Sequence, residues 1–538
     1  LKKLNNNLMA DLSRQTQKLI QEYRAWHNSL QPKTEIPTIH VDEVASAVAA
    51  FYEKIRGVVD WKEEHLMRRS AIERMLKRRL LLTKDSQEVA EPLILELIRS
   101  GHFPNDRIPE TSVVQVKKII EKYIYILENA PMTEGEKIKA QLYDWLLSIA
   151  ACEIEEELAP PHRERALIDY MTEAMTERIK LNNGMTEEQK NVQIHIAVQK
   201  ALFKLDNPII IYNLIKKQYP KWHDLKNNES PLPEIAQNIY LSWKNFEKAL
   251  KKRLSEKFYK ICERYDTAYL VLGDVISEEP MNALQKLSAP EELESKIVSA
   301  YEKRLKTIKK RINRAAIYAT ISIFLTKILL ALAIEVPFDR YVTGQFSYEA
   351  LGFNILIPAL LMLFLILTIK PPKKENLQQV IMEIMKITYE TEAKDAYVIK
   401  IPKERSWLMD TFVTGFYLLG FLASFGLIIW GLQKLEFGIL SMVIFLVFIS
   451  LISFAGTKLR ERSRELEIVQ RKESFLVFII DFFSLPIIRM GKWLSGQWAK
   501  YNVIVVFFNF LIDMPLQTFI EFLEKWREFL REKKEEIH

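Results

Sequence analysis

Two cysteines in 538 residues allow at most one bridge and no Cys-rich metal cluster, so Cys152 and Cys262 fit a reducing compartment and exclude a disulfide scaffold. Glycine is almost as sparse in the first 300 residues, where Gly57, Gly101, Gly135, Gly184 and Gly273 are the whole supply. Tight hairpins draw on glycine at their turns, so an all-α body is the economical reading. No G-x-G-x-x-G, G-x-x-x-x-G-K-[ST] or G-x-S-x-G occurs. The backbone cradles for phosphate and the elbow for a serine nucleophile therefore have no candidate. The eight histidines are dispersed, with no H-E-x-x-H and no internal Glu-x-x-His, which argues against a locally encoded zinc or di-iron site. No cofactor, metal or catalytic residue is expected, and the chain reads as non-enzymatic. A net charge of +7 is too small for a chain of this length to argue for nucleic acid.

What the chain does hold is long uncharged runs, all after residue 314. Ala350 to Ile369, Thr411 to Gln433 and Phe437 to Thr457 carry no charge, and each is long enough to cross roughly 30 Å of hydrocarbon at about 1.5 Å per residue. Ala315 to Ile334 matches them in length but contains Lys327, which is accepted in a span if it snorkels or faces protein. Lys327 is expected to face protein: Pro358 frees the backbone carbonyl of Asn354 on the next span, and that carbonyl with the Asn354 amide offers Lys327 an acceptor.

The region before the spans reads as helix after helix. Val44, Val48, Phe51, Ile55 and Val58 repeat at three and four, Thr133 with Glu136 and Thr186 with Gln189 form capping boxes, and Asn183-Gly184 supplies a stop. Proline-bearing joints suggest a soft boundary near residue 131, giving regions 1–131 and 132–314. From about Glu291 the sequence has no Gly, Pro or turn cluster until it enters the first span, so one rod-like helix is expected from there to Ile334. The acidic run Glu153, Glu155, Glu156 and Glu157, with His162 nearby, is read as a solvated helix end rather than a metal cluster.

Charge at the flanks orients the spans. Lys303, Arg304, Lys306, Lys309, Lys310, Arg311 and Arg314 precede the first, eight basic residues lie in 370–410, and Lys458, Arg460, Arg462 and Arg464 follow the fourth, against Arg340 and Lys434 in the other two loops. Both termini are therefore expected in the cytoplasm, with Lys309, Lys310, Arg311 and Arg314 against anionic lipid of the inner leaflet. The region 458–538 is read as an amphipathic linker and interfacial tail. Asp481 and Pro486 interrupt one apolar stretch, Asn509, Asp513 and Pro515 another, and Lys492, Trp493, Trp498 and Lys500 between them suit the headgroup level. Two re-entrant or interfacial hairpins are the expected form.

The stretches HVDEVASAVAAFYEKIRGVVDWKEEHL, AIERMLKRRL and FIEFLEKWREFLREKKEEI resemble uncharacterised multi-pass membrane proteins of candidate-phylum bacteria. That resemblance implies a bacterial inner membrane and no particular activity. Three functions stay open. A scaffold, assembly factor or regulator would use the helical body to bind a cytosolic protein. A small oligomeric channel or transporter would use Lys327, Asn354, Pro358, Gly415, Gly420, Ser424 and Gly426, although its spans hold no acid. A lipid-modifying enzyme would have Asp481 and Asp513 as its acids.

The charge distribution makes a direct prediction. A cysteine placed at Ser347 should react with an impermeant thiol reagent only from outside the cell, and cysteines at Lys226 or Lys394 only from inside. Outside labelling at Lys226 would reverse the orientation.

Overall fold

A computed structural model describes residues 11–30, 36–42, 64–83, 85–131, 135–182, 185–226, 229–252, 254–344, 347–367, 374–389, 396–400, 407–464, 466–468, 475–500 and scattered positions in 518–533. The Val44 to Val58 helix, Thr133, Asn183-Gly184 and the stretch 503–517 fall outside these. The chain is all-α. Its extramembrane body holds α1 (Arg14–Ser29), α2 (Glu64–Leu82), α3 (Ser86–Arg99), α4 (Thr111–Asn129), α5 (Glu136–Leu158), α6 (His162–Arg178), α7 (Glu187–Phe203), α8 (Asn207–Gln218), α9 (Leu232–Gln237), α10 (Ile239–Leu250), α11 (Ser255–Glu278) and α12 (Ala283–Leu287). α13 (Pro290–Leu330) leads out of it.

These helices form where the sequence supplies a period and a cap. Val116, Ile119, Ile120, Tyr123 and Ile126 put one face of α4 inward. Thr186 caps α7, its hydroxyl accepting from the Gln189 N–H at 3.2 Å. Two cores result. The first gathers α2 to α5 and α8 to α10, with Ile126 before residue 131 and Leu142 after it in one cluster. The expected boundary at 131 thus separates no cores, because proline joints bend a chain without deciding which faces pack together. The second core gathers α1, α6, α7, α11 and the start of α13.

α13 runs unbroken from the second core into the first span. It continues through π-helical turns at Ala331–Glu335 and Asp339–Thr343 and the short α14 (Val336–Phe338), so that Pro290–Val342 is one 53-residue helix. The other spans are α15 (Tyr348–Leu367), α17 (Trp407–Lys434) and α18 (Ile439–Ser463). All four are long and apolar enough to cross a membrane, which makes the chain a multi-pass membrane protein by length and composition. Only 11–33% of their most apolar windows is buried, so their apolar faces point outward, as lipid requires and as buried soluble helices would not.

The connection between the second and third spans is part of the body. Its helix α16 (Lys374–Tyr389) buries Val380, Ile384 and Ile387 in the second core, and each such side chain contributes about 1.5–3 kcal/mol. The strand β1 (Ile179–Asn182) pairs in parallel with β2 (Tyr397–Lys400), in the register Ile179↔Tyr397 to Asn182↔Lys400. This pair was not expected from the scarcity of glycine, but strands joined by a long crossover need no tight turn. The carbonyls at the end of α16 have no intrahelical donors. Ser13 N–H reaches the Thr388 carbonyl at 2.9 Å and Tyr170 OH the Ile387 carbonyl at 3.1 Å. Asn376, near the other end of α16, donates to Tyr301 OH at 3.0 Å and to the Leu466 carbonyl, and accepts from Ile468 N–H at 2.7 Å. Leu466 and Ile468, just past the fourth span, complete this core.

α19 (Phe475–Lys500) corrects the expected hairpin. It is a continuous helix with Pro486 inside it, and it lies against the middle of α17 and α18 rather than apart from them. Phe482 packs on Gly420, Ser424 donates to the Phe483 carbonyl at 2.9 Å, and Gly491 meets the Ser450 backbone so closely that a β-carbon has no room. Pro486 leaves the Phe482 carbonyl without its helical donor, and close packing of the helix on its neighbours makes that break tolerable. Lys492 and Trp493 are exposed; the side chains of Trp498 and Lys500 fall outside the described set. Lys309, Lys310, Arg311 and Arg314 are exposed on α13 at the start of its apolar segment.

One ion pair crosses from α6 to α16. Arg178 meets Glu383 at 2.6 Å, with side-chain exposures of 1% and 11%, and its guanidinium lies 4.8 Å from the Tyr265 ring centroid. Removing one partner of such a pair strands the other, so Arg178→Ala should cost about 3–5 kcal/mol. Unfolding of the purified full-length protein in detergent checks this, and a change under 1 kcal/mol would show that the pair does not hold the connection to the body.

Candidate functional site

Three of the four spans meet around a buried carboxylate. The π-helical turn Ala331–Glu335 at the end of α13 turns Glu335 back into the bundle, where it is 1% exposed. Lys327 Nζ sits 2.6 Å from Glu335 Oε1 and is itself 0% exposed. Asn354 Nδ2 on α15 and Ser441 Oγ on α18 both donate to Glu335 Oε2, the latter at 3.0 Å. Ser441 Oγ also lies 3.3 Å from Asp339 Oδ2 on α13's continuation. The Lys327 ammonium stands 5.2 Å from the Phe448 ring centroid, adding a cation–π contact. π-Helical turns inside α-helices recur at functional sites because they shift side chains out of the regular register.

Lys327 faces protein. Its acceptor, however, is the acid two turns further along its own helix and not the Asn354 carbonyl, because two opposite charges out of water satisfy each other better than a charge and a dipole. Asn354 enters as a second donor to the same carboxylate. Glu335, Asp339 and Ser441 were not singled out from sequence, and the view that the spans hold no acid is corrected by Glu335. An acid closely following a lone intramembrane lysine was the available signal.

The expected small-residue features on α17 divide. Gly420 and Ser424 contact α19, whereas a β-carbon at Gly415 or Gly426 would meet nothing within 4 Å. Asp481, the acid named for lipid chemistry, lies on α19, and Asp513 is outside the described residues.

A second polar cluster lies in the extramembrane body and corrects the reading of the acidic run as a solvated end. Glu153 is 0% exposed. It accepts from Lys122 Nζ at 2.6 Å, Tyr123 OH at 2.8 Å and Trp222 Nε1 at 2.9 Å, and His223 Nδ1 is 3.5 Å away. Burial opposes its charge, but the His223 hydrogen bond and the Lys122 ammonium outweigh it and hold the Glu153 carboxyl below its ordinary range. The same hydrogen bond raises the His223 pKa. Burial lowers Lys122 despite Glu153 and leaves the more weakly paired Glu155 at about 7. With Lys122, Tyr123 and Trp222 holding Glu153 from inside the body and His223 covering it from a half-exposed position, this cluster reads as an internal tie. Among the described residues no group of three His, Cys, Asp or Glu side chains converges as metal ligands. His162 opens α6.

No protein-family model, no curated protein and no solved structure matches this chain.

Lys327→Met removes the ammonium and leaves Glu335 buried with two neutral donors. It should destabilise the protein by about 3–5 kcal/mol, and Lys327→Met combined with Glu335→Gln should recover most of that loss. Unfolding in detergent measures both; equal stability of Lys327→Met and the parent would deny the pair.

Proposed function

We propose that this chain is a non-enzymatic integral membrane scaffold, assembly factor or regulator of the bacterial inner membrane. In this reading both termini are cytoplasmic and the helical body binds a cytosolic protein partner. The observation that carries the reading is the burial of α16 and β2 in the second core. Among the described residues, α13, α16 with β2, and Leu466 with Ile468 all tie the body to chain that enters or leaves the spans. A domain tethered by one flexible linker moves freely; one built from chain returning between spans transmits position and tilt instead. Lys309, Lys310, Arg311 and Arg314 would hold this assembly against anionic headgroups.

A small oligomeric channel or transporter is the second reading, and Glu335 favours it, because intramembrane ion pairs often mark ion or proton paths. The two readings separate on one preparation. Purified in mild detergent, the full chain should retain a soluble protein at fixed stoichiometry and, once reconstituted into vesicles, should pass no ions. Ion flux without such a partner would overturn the scaffold reading in favour of the channel.

A further inference from the structure

His223 stands between two acids of one helix. Its Nδ1 lies 3.5 Å from Glu153 Oε1 and its Nε2 3.4 Å from Glu157 Oε2, one helical turn further along α5. Glu153 is fully enclosed and Glu157 partly buried, while the imidazole is 46% exposed at the surface end of the cluster. The ring rides on the turn Trp222–Asp224, which lies between α8 and α9. That turn is held from inside by Trp222, whose indole donates to Glu153 and whose carbonyl accepts from Lys122 at 2.8 Å. His223 fastens the same turn from outside.

The nature of that outer contact depends on the proton count. A neutral imidazole has one N–H and one lone pair, so it donates to a single carboxylate and turns the lone pair towards the other. Only the imidazolium donates to both. The charges agree: Lys122, Glu153 and Glu157, when ionised, carry one excess negative charge between them, and Asp224 on the turn itself is a further acid near Lys122. Lys216 of α8 and Arg165 of α6 are committed to Glu156. One positive charge on His223 balances the two acids that it touches against Lys122.

We propose that His223 is a proton-operated latch, which as imidazolium clamps the Trp222–Asp224 turn to α5 through Glu153 and Glu157 and which lets go of one acid when it loses its proton. The Glu153 hydrogen bond, with the charges of Glu153 and Glu157, outweighs burial and Lys122 and raises the His223 pKa. A base raised in this way adds stability that is complete below the ordinary histidine range and is lost as pH rises through the raised value. Trp222 and Lys122 keep their hold on Glu153 throughout, so the response is a local loosening of the turn and not unfolding of the first core. Glu155, on the same helix, is pushed up to about 7 by burial and acts with the same sign, which the test must separate. The latch lies in the extramembrane body and is independent of the scaffold and channel readings.

Histidine C2 hydrogen–deuterium exchange, followed by mass spectrometry on the full-length protein in detergent, reads the His223 midpoint directly. The expected midpoint lies above that of the same histidine in the denatured chain, and Glu157→Gln should lower it. Backbone amide exchange of a peptide covering Tyr219 to Leu225, corrected for intrinsic rates, should then show protection lost across the same midpoint. The loss should vanish in His223→Gln and persist in Glu155→Gln. A midpoint at or below the denatured value would overturn the latch, as would equal amide protection on both sides of the midpoint; the unaltered protein decides both, whatever the variants do to folding. A loss of protection that survives His223→Gln would place the responsible proton elsewhere and overturn the proposal too.

Discussion

A carboxylate buried among apolar helices has no water to turn to, and the way three of the spans face one another follows from how Glu335 meets that constraint. It draws Lys327 from its own helix, Asn354 from α15 and Ser441 from α18. Each of those donors would be costly on a lipid-facing surface, so the four groups fix which sides of three helices face one another. Much of the remaining span surface is apolar and exposed, with Leu325, Leu329 and Leu332 at 54%, 67% and 60%. Apolar surface of that kind is indifferent to rotation in lipid. Polar contacts therefore supply the specificity that the hydrophobic effect supplies in the body.

The same principle operates on the other side of the membrane boundary with water present. There the second core is assembled from segments lying hundreds of residues apart, and polar contacts decide how they meet. Asn376 joins α13, α16 and the chain leaving the fourth span, while Ser13 and Tyr170 take the terminal carbonyls of α16. Apolar burial of Val380, Ile384 and Ile387 supplies most of the free energy, and these hydrogen bonds set the register. The second core is consequently built in part from chain that leads into, returns between and leaves the spans.

α19 shows how interruptions in an apolar run can be read two ways. Asp481 and Pro486 break the hydropathy pattern, yet the helix continues through both, packed on small residues of the neighbouring spans and held by Ser424 at the Phe483 carbonyl. Gly491 against Ser450 gives α18 and α19 a close approach that no larger residue would allow.

Composition and periodicity determined the all-α class, the four spans and the long helix that enters the first of them, because each rests on local properties: uncharged length, spacing of apolar residues, absence of breakers. Lys327 and Asn354 were legible as polar residues where polarity is expensive. Their partner was not, since Glu335 lies just beyond the apolar run and reaches Lys327 only through a π-helical turn, which has no distinct sequence signature. Glu153 looked like surface for a related reason: an acid beside other acids gives no hint that Lys122 and Trp222, distant in the chain, will enclose it. Nor does any local feature join Arg178 to Glu383 or Ile179 to Tyr397. Those pairings exist only once the second core has formed, and it is tertiary packing that turned a loop between two spans into part of the body.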